Sequence, residues 1–83
     1  MKPKIDPTAL RRHREFGQDM AERHFRLYPG DRYPTSVVVD IMRDSMREPA
    51  AEAGIGSLAL EPYARAAAAG FIRQWRRLQR AKP

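Results

Sequence analysis

The 83-residue chain contains no cysteine. That absence excludes disulfides, thiolate metal sites and cysteine nucleophiles, and it leaves packing alone to hold a domain of this size together. Small secreted domains usually need such staples, so a cytoplasmic location is expected. Long apolar runs are missing as well. The longest run of bulky apolar residues, at positions 37–39, is three residues, against the roughly 20 needed to span a bilayer. The first residues carry Lys2 and Lys4 and then turn polar, which is not the pattern of a cleavable leader. Nor is there a Gly-x-Ser-x-Gly elbow, a His-Glu-x-x-His pair or a phosphate-cradling glycine loop, and Gly54-Ile55-Gly56 is only a fragment of one. With three serines, two threonines and two histidines besides, catalytic machinery is hard to assemble. The expectation is a non-enzymatic protein without metal or cofactor.

One further absence is the most informative. No acidic residue follows Glu61, whereas Arg65, Arg73, Arg76, Arg77, Arg80 and Lys82 all do. The first 61 residues carry ten basic and ten acidic side chains and sum to zero, so the net charge of +6 belongs to the last 22 residues. Arginine outnumbers lysine thirteen to three along the whole chain, so only the placement of the arginines carries information.

Proline and glycine divide the sequence into three periodic segments, and the spacing predicts helices near 7–28, 35–48 and 61–80. Asp6-Pro7 is a helix start: the carboxylate accepts from an orphan amide, and proline at the first helical position loses no bond. Leu10, His13, Gly17, Met20, His24 and Leu27 then recur at spacings of three and four, with Phe16 and Tyr28 flanking the same face. Arg11, Glu15, Asp19, Glu22, Arg23 and Arg26 lie opposite.

The second segment follows Pro34, with Thr35 or Ser36 as the expected cap. Three consecutive valines suggest a strand. The spacing of Asp40, Arg43, Asp44 and Arg47 favours a helix that buries Val38, Ile41, Met42, Ser45 and Met46 and stops before Pro49. The third segment sets Leu60, Ala64, Ala67, Phe71, Trp75 and Leu78 on an arc of roughly 80° at about 100° per residue, with the five arginines almost opposite. The fold expected is all-α: a small three-helix bundle, or a helical dimer built from such units, as one domain with frayed ends. Its core would contain Leu10, Phe16, Met20, Leu27, Val38, Ile41, Met42, Phe71, Trp75 and Leu78.

A helix carrying Arg65, Arg73, Arg76, Arg77 and Arg80 on one side, with Lys82 adding charge, can lie along a phosphate backbone. The same face suits an acidic protein surface, as on an inhibitor or adaptor from a phage or plasmid, or it is solvated charge favoured by a helix carboxyl terminus. Phe71, Ile72, Trp75 and Leu78 opposite the arginines also fit a membrane-surface helix, but the alanines before them suit helix packing better. His13 and His24 are eleven residues apart, about 16 Å along one helix, and cannot share a metal ion there. With Met20 they are expected at a helix–helix or dimer contact.

The stretch Gly30-Asp31-Arg32-Tyr33, with Ser36-Val37-Val38-Val39 and then Arg43 to Glu48, resembles the Gly-Arg-Tyr and Ser-x-Val-Val segment of ribbon-helix-helix antitoxins. The resemblance implies a DNA-binding dimer with an amino-terminal strand in the major groove and a tail that folds on a toxin. The chain departs from it where Leu10 to Phe16 reads as helix and where Arg43 replaces the family's leucine. The reading that follows is a small regulator binding nucleic acid through the basic third helix. The alternatives are a protein-binding modulator and a self-associating structural protein.

Overall fold

Asp6 accepts a hydrogen bond from the Thr8 amide at 3.0 Å, and Pro7 occupies the first helical position. This is the predicted start, and it opens the first of three helices in a computed structural model that describes residues 5–81. They are α1 (Pro7–Leu27), α2 (Thr35–Glu52) and α3 (Ser57–Ala81). The described residues contain no strand. Residues 37–41 are helical, and among the described residues the strand that a ribbon-helix-helix arrangement requires is absent, because residues 10–16 lie within α1.

α3 is the spine of the bundle. α1 runs parallel to it, with Tyr63, Gln74 and Trp75 meeting Asp6, Glu22 and Phe25 in the same order. α2 runs antiparallel, its Arg43 bonded to Glu61 while its first residue, Thr35, lies beside Ile72 and Arg76. Both helices pack on α3 but not on each other: among the described residues no Cα of α1 lies within 8 Å of a Cα of α2. The result is an elongated body of 48 × 22 × 18 Å.

Small residues set the packing. Gly17, Ala21, Ala64, Ala67, Ala68 and Gly70 are all buried, which lets α1 and α3 approach backbone to backbone. Larger side chains fill the other side: Val38 and Met42 from α2, Phe71 and Trp75 from α3. Phe71 and Trp75 are stacked at 5.6 Å and 10°, and Tyr33, from the α1–α2 connection, stands edge-on to both at 5.5 and 5.0 Å. Phe25 meets Trp75 edge-on at 5.3 Å. Such aromatic contacts add about 0.5–1.5 kcal/mol each beyond the area they bury.

The structure corrects the expected core: Leu10 and Leu78 are half-buried and lie outside the buried cluster. Phe16, Leu27 and Ile41 are 46, 71 and 43% exposed and do not belong to the core. Ser45 is exposed too. α1 turns its glycine–alanine line toward α3 because only that line permits the close approach, and the bulkier apolar row beside it is left outward.

Pro34, without a side-chain hydrogen bond, stands at the cap position of α2, and Thr35 is the first helical residue. α2 continues through Pro49 to Glu52, since proline's fixed φ is helical and the cost is one bond to Ser45. Its end is sealed by the Ile55 amide on the Ala50 carbonyl at 2.8 Å and the Gly54 amide on Ala51 at 3.1 Å. Gly54 has φ of +74°, the left-handed conformation that such an ending requires. α3 starts four residues early, at Ser57, its first turn closed by the Leu60 amide on the Gly56 carbonyl, with Pro62 inside. Burial of Leu60 and Ala50 anchors both extensions.

Candidate nucleic-acid interface

All five arginines of α3 are exposed, but they divide into two groups. Arg65 donates to Glu61 at 3.0 Å, and the same carboxylate takes a two-pronged contact from Arg43, Nε at 2.9 Å and Nη2 at 2.7 Å. Arg43 also reaches Asp40 at 2.9 Å. The Arg43 hydrogen bonds, more than its charge, hold Glu61 below the usual carboxylate range, and Arg65 adds to the effect. Arg65 is therefore part of the tie between α2 and α3. Sequence periodicity places it on the cationic face, but its Nε is bonded to Glu61 within the fold.

Arg73, Arg76, Arg77 and Arg80 have no acidic partner among the described residues. Three of them, Arg73, Arg76 and Arg80, line one groove of about 740 Å³ between α3 and the start of α2, with Thr35, Ala69, Ile72 and Gln79. Arg77 does not line it. Lys82 lies outside the described residues.

The α2 end of that groove adds positive character of its own. Pro34 supplies no capping side chain and the first turn has no acid, so the amides of Thr35, Ser36 and Val37 have no side-chain acceptor, while that of Val38 is bonded to Pro34 at 3.1 Å. A helix start in this condition carries about half a positive charge.

A second cleft of about 400 Å³ shares Ile72, Arg76 and Gln79 with the first and is walled by Arg32, Tyr33, Pro34 and Trp75. Burial pushes the Tyr33 hydroxyl above its ordinary value, and its hydrogen bond to Asp31 at 3.1 Å pushes the same way. Asp31 thus stands beside this wall through Tyr33. Trp75 is 4% exposed and its indole N–H has no hydrogen-bond partner. It is a core side chain whose edge reaches the cleft.

Arg32 and Thr35 are functional candidates that sequence reading missed. Neither belongs to the α3 periodicity, and only the return of the chain through residues 28–34 brings them beside Arg76. His13, Met20 and His24 are at helix–helix contacts, within one chain. The Nδ1 of His13 is 2.6 Å from the Ala9 carbonyl and its ring 5.1 Å from that of Tyr63. His24 sits among Tyr28, Tyr33 and Phe71 at 5.8, 5.8 and 6.3 Å, and Met20 packs against the core. Among the described residues no three His, Asp or Glu side chains converge as metal ligands, and no helix is long and apolar enough to cross a membrane.

The groove can therefore offer guanidinium donors, amide donors and Gln79 to an anion, along a line that follows α3 for two turns. No protein-family model, curated protein or solved structure matches the chain.

Proposed function

We propose that this protein is a non-enzymatic regulator that binds the phosphate backbone of nucleic acid along the groove between α3 and the start of α2. The observation that carries the reading is the convergence of Arg73, Arg76 and Arg80, none with an acidic partner among the described residues, on one groove with the uncapped start of α2. Arg32 walls the adjoining cleft with Arg76 and extends the charge. Arginine suits this role because its planar fork matches two phosphate oxygens at once. Binding is driven by release of the counterions that the phosphates hold, so it is weakly selective for sequence and strongly dependent on salt.

The test is fluorescence anisotropy with random duplex DNA and with single-stranded RNA over a salt series. The parent chain binds one or both at physiological salt. Replacing Arg73, Arg76 and Arg80 by Ala lowers affinity and flattens the log–log salt slope by about 0.9 per lost phosphate contact on duplex DNA. Absence of binding beyond weak low-salt attraction removes this reading, and an acidic protein surface becomes the partner to test.

A further inference from the structure

The side of the bundle away from the arginines of α3 carries a second groove. α1 and α2 diverge over α3 and leave a groove of about 460 Å³, lined by Arg12, His13 and Phe16 from α1, Met46 and Pro49 from α2, and Ile55 from the α2–α3 connection. Phe16 and Ile55 are each 46% exposed there. The apolar edges continue beyond it. Leu27 on α1, and Val37 and Ile41 on α2, are exposed as well, and Ile41 stands one turn before Ser45, which lines the groove. Monomeric proteins leave single apolar residues outside, but exposed apolar residues gathered at one groove suit an interaction surface.

The charged residues nearest this groove differ in sign between α1 and α2. Arg12 stands one turn before Phe16 on α1, whereas Glu48 and Glu52 border Pro49 on α2. None of the three is in an ion pair among the described residues. Arg12 and Pro49 line the same stretch of groove, so the basic and acidic positions lie at one level along the bundle.

We propose that this groove is the self-association surface of the protein, occupied by a second copy related by a two-fold axis parallel to the helices. That operation preserves level along the bundle and exchanges the two sides, so α1 of one copy lies against α2 of the other. The two helices are antiparallel within a chain and meet antiparallel across the axis. Phe16 then enters the partner's groove beside Met46, and Arg12 faces Glu48 and Glu52 of the second copy, twice over. A surface that is apolar along its floor and opposite in charge on its two sides is complementary to itself in this one arrangement, which is what an isologous interface requires. Leu60, on the floor, and Arg80 are twenty residues apart on α3, about 200° around the helix, so the cationic groove stays free on the outer side of each copy.

Sedimentation equilibrium of the full chain over a wide concentration range is the test, with circular dichroism and the emission of the single tryptophan, Trp75, as checks that each variant is folded. The parent chain shows a concentration-dependent dimer. Phe16→Glu weakens it by at least about 30-fold, the cost of a central anchor. Arg12→Glu alone, and Glu48→Arg with Glu52→Arg, each weaken association, and the three together restore it. A folded parent chain that stays monomeric at every concentration overturns the proposal, as does a dimer indifferent to Phe16→Glu. Nucleic-acid binding by the Phe16→Glu monomer is scored separately, so loss of one property does not imply loss of the other.

Discussion

Gly17 of α1 and Gly70 of α3 are reciprocal: a methyl group added to either would strike the backbone of the helix that carries the other. On Gly17 it would lie 2.8 Å from the Ala67 carbonyl carbon and 2.9 Å from the Phe71 nitrogen, and on Gly70 it would lie 2.9 Å from the carbonyl carbon of Arg14. The neighbour is backbone in both cases, which cannot rotate away as a side chain can. α1 and α3 are therefore locked at a distance that only these two glycines allow.

Gly17→Ala and Gly70→Ala should each destabilise the fold. Alanine gains about 1 kcal/mol of helix propensity over glycine, but separating two packed helices costs typically 1–3 kcal/mol or more, and here the obstruction is a carbonyl group. Overpacking wins. Thermal denaturation should show a loss of several degrees for each, and the double variant should lose less than the sum, because the first separation already makes room for the second methyl.

Trp75→Phe should be far milder than Trp75→Ala. The buried indole N–H has no partner, and leaving such a donor unsatisfied costs about 1–3 kcal/mol. Phenylalanine removes the orphan and keeps the stack on Phe71. Urea unfolding should place Trp75→Phe within about 1.5 kcal/mol of the parent and Trp75→Ala about 3–5 kcal/mol below it.

Pro49→Ala should stabilise α2. Proline in a helix interior costs up to about 3 kcal/mol relative to alanine, and at position 49 it leaves the Ser45 carbonyl without its amide donor. Because Pro49 is exposed, little packing is lost. A rise in melting temperature with unchanged helix content is expected.

Acid should loosen the α2–α3 tie. The hydrogen bonds from Arg43 hold Glu61 below its ordinary value in the folded chain, so the unfolded chain takes up this proton first as pH falls. The contribution of the pair is present above the ordinary carboxylate value and disappears as pH drops through the lowered folded one. A pH series of melting temperatures should therefore show Glu61→Gln less stable than the parent at neutral pH, with the gap closing on acidification.

Much of this architecture is written in local patterns. The Asp6-Pro7 start, the helical spacing that overrides the β preference of residues 37–39, and the segregation of arginine from apolar residues on α3 depend only on neighbours a few positions away. Those determine three amphipathic helices and a cationic face. Local rules also misplaced two boundaries: proline ends a helix only when nothing repays the lost bond, and here burial of Ala50 and Leu60 repays it from across the α2–α3 connection.

Tertiary structure decided the rest. Which part of α1's broad apolar arc is buried depends on Gly17 meeting the backbone of Ala67 and Phe71, residues 50 and 54 positions away, and this turns Phe16 and Leu27 outward. Arg43 reaches Glu61 from eighteen positions away because α2 folds back on α3, joining the local Glu61–Arg65 pair, while Arg32 and Thr35 join Arg76 because the chain returns over α3. A single sequence encodes the period of each helix strongly, since every turn repeats it. The distance and rotation between helices rest on a few contacts made only when the chain has folded.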